Sequence, residues 1–294
     1  MSMMKDRLPL FVIHLIFIAV TLCMILPLLL VVSISFSDET SLIRNGYRFI
    51  PEQFSTLAYE TVFKHPKQLL NAYGVTIFVT VAGTALSLLL TAMIGYVISR
   101  RDYRYKRITT LYVFFTMLFS GGLVPFYILI TKYLHLKDTL LVLIVPYLLN
   151  PFYVMIMKGF LDKVPLEIVE SAKIDGAGEF TTFRRIILPI STPALATVGL
   201  FISFSYWNDW WLGLLFVDNE KLVPLQLLLY RTLNSIEFFS SNAQYISGNI
   251  DLSQFPSLST RMALAILGAG PMLFIFPFFQ KYFVKGLTVG SLKE

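Results

Sequence analysis

The dipeptide Gly-Lys occurs nowhere in the 294 residues. The phosphate cradle Gly-x4-Gly-Lys-Ser/Thr is therefore absent, and with it the usual means by which a chain holds ATP. Charge is scarce too: 14% of the residues are Asp, Glu, Lys or Arg, against about 25% in a soluble domain. With 56% hydrophobic residues and a mean hydropathy of +0.69, the chain has too little polar surface to cover itself in water. An ordinary soluble protein is excluded. Cysteine is nearly missing. Cys23 is the single one, so no internal disulfide forms, and a lone thiol in an apolar run reads as a packing residue. His14, His65 and His135 stand apart from one another and from any Cys or carboxylate at metal-ligand spacing, so no metal site is expected. His14 reads as an interfacial residue. No nucleophile–base constellation and no basic–aromatic patch suited to nucleic acid stands out.

What is present is a set of long apolar runs. A helix needs about 20 mostly apolar residues to cross a hydrocarbon core of about 30 Å. Six stretches qualify, at 10–33, 69–99, 108–131, 139–159, 190–217 and 259–283. None alternates in the manner of a lipid-facing strand, so a barrel is excluded. The first run is long, and no small-residue cleavage site follows it, so it reads as a span and not as a signal peptide. The expectation is an all-α integral membrane protein with six transmembrane helices. It divides into an N-terminal helix and outer loop (1–68), a five-helix core (69–283) and a tail (284–294).

Six spans place both termini on one side. The face carrying the N-terminus, the 100–107 loop, the 158–189 segment and the tail holds 15 Lys/Arg and 8 Asp/Glu, whereas the other holds 9 and 10. Basic loops face the cytoplasm. Both termini are therefore expected there, in a multi-pass membrane protein.

The 158–189 segment is longer than a connection between neighbouring membrane helices requires. Pro165 can open a helix. Leu166, Val169 and Ala172 then share one face, with Glu167, Glu170 and Lys173 towards another. Asp175-Gly176-Ala177-Gly178 breaks that helix, glycine being the natural left-handed cap. A second short amphipathic helix runs from about Glu179 to Ile187, and Pro189 marks the entry to the fifth span. Ser171-Ala172 gives a small-residue face that permits close approach of a partner. A helix–turn–helix on the cytoplasmic surface follows. From composition alone it suits equally a docking element and an amphipathic hairpin resting on lipid.

The spacing Glu170-Ser171-Ala172, three residues, Gly176, nine residues, Ile186, one residue, Leu188-Pro189 resembles the EAA loop of inner-membrane permeases of ABC importers. Ser171 in place of the middle alanine is the one departure. The resemblance runs over nearly the whole chain. Asn71 through Arg100, with Thr76, Gly83, Thr84, Leu86 and Ser87, is similar to the second span of carbohydrate permeases. Phe119-Ser120-Gly121-Gly122-Leu123-Val124-Pro125 is similar to their third, and Lys285-Gly286-Leu287-Thr288-Val289-Gly290 to their tail. Pro224-Leu225-Gln226 and the Ser-Gly-Gly segment resemble the branch that imports oligosaccharides derived from polysaccharides.

The resemblance implies that the loop is the coupling helix that docks in a groove of a separate ATPase. Glu170 would supply a polar contact, Ala172 the close approach and Gly176 the turn. It also implies a homologous second permease in a heterodimer, two ATP-binding subunits that hold ATP and Mg, and an extracytoplasmic solute-binding protein. This chain would hold no cofactor of its own and would catalyse no reaction. Its surroundings would be the lipid bilayer of a bacterial inner or plasma membrane, and its cargo an oligosaccharide. In the apolar context of 108–131, Ser120-Gly121-Gly122 reads as small-residue helix packing.

Two readings stand for Trp207-Asn208-Asp209-Trp210-Trp211. They form an aromatic belt at the outer interface, or they line or gate the solute path, with indoles stacking on sugar rings and Asn208 and Asp209 bonding hydroxyls. The polar stretch 218–258, with Asn234, Asn242, Gln244, Asn249 and Gln254, reads as an outer loop for the binding protein or as a plain connector. A secondary transporter would need acidic groups at mid-membrane, which these spans almost wholly lack. An ABC permease for amino acids, phosphate or osmolytes is the other alternative.

Overall fold

The computed structural model describes residues 2–242 and 257–289. Among them the regular elements are helical, with one isolated antiparallel bridge between Ser37 and Phe54. The order is α1 (Ser2–Ser35), α2 (Glu39–Asn45), α3 (Leu57–Val62), α4 (Pro66–Ser99), α5 (Lys106–Leu118), α6 (Leu123–Ile128) and α7 (Pro151–Leu161). Then come α8 (Leu166–Ile174), α9 (Glu179–Thr182), α10 (Leu188–Ile190), α11 (Thr192–Trp207), α12 (Trp211–Phe216), α13 (Leu225–Asn242) and α14 (Leu258–Val289).

Three continuous helical stretches, Phe11–Ser35, Pro66–Ser99 and Leu258–Pro277, are long and apolar enough to cross a bilayer. The other three runs are bent or broken. The run 108–131 bends by 109° between Lys106–Leu118 and Leu123–Tyr133. The cause is local: Phe119 is extended, and Gly122 sits at φ 85°, a left-handed conformation that favours glycine. Among the described residues a Cβ on Gly121 or Gly122 would meet nothing within 4 Å, so these glycines break the helix and do not pack it against another described element of this chain. The run 139–159 is two short 3₁₀ turns, Leu140–Leu143 and Val145–Tyr147, followed by α7 at a 48° bend. Asn150 caps α7 by accepting from the Phe152 amide at 2.9 Å, and Pro151 opens it. The run 190–217 is broken at 208–210, between α11 and α12.

The described chain groups into two compact units. Residues 229–270, which the sequence reading keeps in the 69–283 core, group with Met1–Lys67. Inside that unit Glu39, 3% exposed, caps the start of α14. Its carboxylate accepts from the Leu258 and Ser259 amides at 2.8 and 3.1 Å and from the Ser257 and Ser259 hydroxyls at 3.0 and 2.9 Å. Four donors on one buried carboxylate satisfy the orphan amides of a helix start. Along α1, residues 11–29 are exposed. Cys23 is among them, so it is not a packing residue within this chain.

The polar stretch 218–258 is largely helix rather than loop, since α13 covers Leu225–Asn242, Asn234 and Asn242 included. Its apolar face was masked in the sequence by polar neighbours. Leu225, Leu227, Leu229 and Ile236 are buried, and the first amide of α13 donates to the Thr76 hydroxyl at 2.7 Å. Gln244, Asn249 and Gln254 lie outside the described residues. So does Gly290 of the tail, whose preceding residues continue α14 to Val289.

The second unit, Gln68–Leu228 with Pro271–Glu294, is organised by close contacts on α4. A Cβ on Gly83 would lie 2.6–2.8 Å from ring atoms of Tyr206. The ring lies flat against bare backbone there, and its hydroxyl donates to the Ile144 carbonyl at 3.0 Å. α4 is thereby joined to α11 and to the bend that precedes α7.

Candidate functional site

The motif-bearing segment folds as a helix–turn–helix. Pro165, at φ −57° and ψ 135°, precedes α8 and spares the first turn an unsatisfied amide. Val169 and Ala172 are buried at 6% and 4%, whereas Glu167, Glu170, Ser171 and Asp175 are exposed. Ala172 therefore packs against other parts of this chain. The turn is a Schellman motif: the Gly176 amide donates to the Lys173 carbonyl at 3.0 Å and the Ala177 amide to the Ala172 carbonyl at 2.9 Å. Gly176, at φ 78°, occupies the left-handed position this motif requires. Past the turn, α9 runs into a π-helical turn, Phe183–Ile187, where Phe183 and Ile187 are core and Ile186 and Leu188 are half-buried. Pro189 is exposed, and an 82° bend separates Glu179–Ile190 from α11.

Two apolar residues break the pattern. Ile174 is 86% exposed and Phe180 67% exposed, on either side of the Gly176 turn. Both stand uncovered at the tip of an otherwise polar hairpin. Sequence reasoning missed both, yet the signal was present for Ile174. It falls off the 166–169–172 face, so an apolar residue there has no place in this chain's core.

The hairpin is anchored to the end of α4. Arg100, 9% exposed, extends its guanidinium between Asp102 and Glu179. Nε donates to Asp102 Oδ1 at 2.7 Å, Nη1 donates to Glu179 Oε2 at 3.0 Å and Nη2 to Glu179 Oε1 at 3.2 Å. The Tyr96 hydroxyl donates to the same Glu179 at 3.1 Å and accepts from Arg100 at 2.7 Å. Lys173 of α8 completes the cluster, 2.9 Å from Asp102 and 3.3 Å from Glu179. Hydrogen bonds from Arg100 and then Lys173 hold the Asp102 carboxyl well below the usual carboxylate range. The Asp102 bond in turn raises the Arg100 guanidinium further above its ordinary value. The Arg100 fork thus ties α9 to the end of α4 in orientation as well as distance, and the Lys173 ammonium ties α8 to Asp102 just beyond that end. The sequence offers the charges but no sign of which pair with which.

The five residues at the α11–α12 break do not share one face. Trp207 is 3% exposed and packs against Tyr73, ring centroids 6.4 Å apart. Asn208 is exposed, with its amide donating to the Phe204 carbonyl at 2.9 Å. Asp209 accepts from the Tyr147 hydroxyl at 3.0 Å and from the Leu212 amide at 3.4 Å, so it holds the start of α12. Trp210 and Trp211 meet edge to face at 5.7 Å. Trp211, 40% exposed, borders a cavity of about 490 Å³ walled by Ser120, Gly121, Gly122, Pro125 and Phe126. The broken run 108–131 and the broken run 190–217 therefore border one crevice, lined by the two glycines, the Ser120 hydroxyl, the Trp211 indole and the apolar side chains of Leu123, Pro125, Phe126 and Leu129.

With this geometry in place, comparison with known proteins is specific. Residues 83–289 match the family described as binding-protein-dependent transport system inner membrane component. Protein LplC of Bacillus subtilis is 37% identical over 92% of this chain and 89% of its own length. The polygalacturonan/rhamnogalacturonan transport system permease protein YtcP of Bacillus subtilis is 36% identical over 99% of this chain and 100% of its own. Among solved structures, a chain from a bacterial ABC transporter involved in import of the acidic polysaccharide alginate superposes with a TM-score of 0.78. It is 26% identical, over 95% of this chain and 98% of that one. This chain belongs to the family of binding-protein-dependent transport system inner membrane components.

Proposed function

We propose that this chain is one membrane subunit of an ATP-driven importer for oligosaccharides released from larger polysaccharides. The observation that carries the mechanical half is the hairpin, whose apolar tip at Ile174 and Phe180 stands in solvent while its base is locked to α4. Its EAA-type spacing, Glu170 to Pro189, supports the same reading. A separate ATPase, binding ATP and Mg, takes the tip and the exposed Glu170 into its groove. Closure of two such ATPases pulls on the hairpin, and the Arg100 cluster passes the displacement to α4.

Six spans, the most that length and composition allow, put both termini and the hairpin in the cytoplasm by the excess of Lys and Arg on that face. Six spans form one half of an alternating-access pair. The other half is a homologous permease, and an extracytoplasmic binding protein delivers the solute. The crevice beside Trp211 presents an aromatic face without a charged side chain, which suits a sugar ring better than an ion. Trp207 and Asp209 act one step removed, holding α11 and α12 in place.

The sugar class rests on the polysaccharides for which the similar permease and the alginate importer are named. The test is uptake of labelled solutes by cells with and without this chain. A panel of uronate and neutral oligosaccharides, an amino acid, phosphate and glycine betaine covers the competing classes. Loss of uptake confined to one oligosaccharide class is expected. Loss confined to the amino acid, phosphate or betaine would replace the proposed cargo.

A further inference from the structure

Between α5 and α7 lies a cavity of about 630 Å³, well away from the crevice and the hairpin tip in sequence. Arg104, Lys106, Arg107 and Lys158 stand around it. Apart from the Thr110 hydroxyl, its remaining walls are apolar, from Leu111 and Phe114 on α5 and Met155 on α7. Arg107, Leu111 and Phe114 recur at helical spacing, so cation and apolar wall belong to one face of α5. From Arg107 to Phe114 the groove runs about 10 Å along the helix axis.

The charges are not balanced locally. Lys106 and Lys158 share Asp162, and Lys106 also donates to the Ser99 carbonyl at 2.8 Å. Arg104 and Arg107 are exposed, and among the described residues neither pairs with a carboxylate. Arg104 lies over the Tyr105 ring at 5.7 Å, which orients its guanidinium.

We propose that this groove binds an anionic phospholipid, with the headgroup phosphate on Arg104 and Arg107 and one acyl chain against Leu111, Phe114 and Met155. The proposal rests on the membrane-spanning reading of α5 and α7. A zwitterionic lipid would fill the apolar wall but bring no net charge to two arginines. An acidic protein loop would meet the arginines and leave the apolar wall bare. A phosphate diester on a hydrocarbon tail satisfies both, and the arginine fork matches its two free oxygens. Basic pockets between membrane helices at the interface are recognised lipid sites on these physical grounds. Two arginines near the surface give roughly a 30-fold preference for an anionic over a zwitterionic headgroup.

The experiment is native mass spectrometry of the whole purified importer, exchanged into equal amounts of phosphatidylglycerol and phosphatidylcholine. The wild-type complex is expected to retain phosphatidylglycerol preferentially. The Arg104→Ala/Arg107→Ala pair should lose that preference, a fall of roughly 30-fold, while Arg104→Lys/Arg107→Lys keeps most of it. Equal retention of both lipids by the wild type, or an unchanged ratio in the alanine pair, overturns the proposal. So does loss of the ATPase from the alanine pair with its lipid ratio unchanged, because the arginines would then face a protein. Subunit composition is read in the same spectra, so an assembled importer without lipid refutes the groove and leaves the transport reading standing. If the alanine pair does not assemble, the wild-type ratio and the lysine pair decide the matter.

Discussion

Replacing Gly83 by alanine should loosen the joint between α4 and α11. The new methyl would stand 2.6–2.8 Å from Cζ, Cε1 and Cε2 of Tyr206, where carbon atoms need about 3.5–4.0 Å. The ring must therefore retreat by about 1 Å. It has nowhere to go, being 2% exposed and tied by its hydroxyl to the Ile144 carbonyl. Overpacking costs about 1–3 kcal/mol, and a carbonyl stranded without its donor about 1–3 kcal/mol. One displacement causes both, so the sum is not fully additive, and about 2–4 kcal/mol is expected. The assay is thermal unfolding of the purified complex, alone and in a double-mutant cycle with Tyr206→Leu. Alanine at 83 should cost under about 1 kcal/mol once the ring is gone, because the vacated space admits the methyl. A Gly83→Ala complex as stable as wild type, or an equal penalty in the leucine background, would refute the reasoning.

Further outcomes follow from the same contacts. Glu39→Ala removes the cap of α14 and leaves buried amides without an acceptor, so a loss of about 1–3 kcal/mol is expected in the unfolding midpoint. Glu39→Gln, which keeps one acceptor, should fall between the two. Trp207→Ala should lower the yield of folded protein, by about 3–5 kcal/mol of stability, whereas Trp211→Ala should leave folding intact and weaken uptake. Equal effects of the two on stability would contradict the inward and outward placement of these indoles. The Arg100 cluster carries a pH dependence of known sign. Asp102 is depressed in the folded state, so its contribution is present above the ordinary carboxylate value and is lost as pH falls through the lower folded value. The distance between spin labels on the hairpin and on α4 should stay constant from pH 8 to about pH 5 and widen only below about pH 4. Widening near neutrality would contradict it.

Much of this was legible in the sequence, and the exceptions share a cause. The hairpin could be read because a proline start, a glycine stop and an apolar period all lie within one short segment. The helices α1, α4 and α14 could be read because length and hydropathy suffice. The breaks at 119–122 and 208–210 could not. An apolar run says that a segment lies in the membrane, and a Gly-Gly pair suits close packing and a left-handed turn alike. The same limit hid the inward turn of Trp207 and the pairing of Arg100 with Glu179. Periodicity assigns a residue to a face, whereas its partner is set by which distant element covers that face. α13 escaped because its buried leucines are interleaved with glutamine, arginine and asparagine.

The claim on which the account turns is that the exposed tip of the hairpin receives the work of ATP hydrolysis. Its most direct test is ATPase activity of the reconstituted importer carrying Ile174→Asp or Glu170→Ala, with and without loaded binding protein. Both residues are exposed, so neither substitution disturbs the core. The account predicts that binding-protein docking persists while solute-stimulated hydrolysis and uptake are lost, most completely for Ile174→Asp. Stimulation and uptake at wild-type levels in both variants would contradict it.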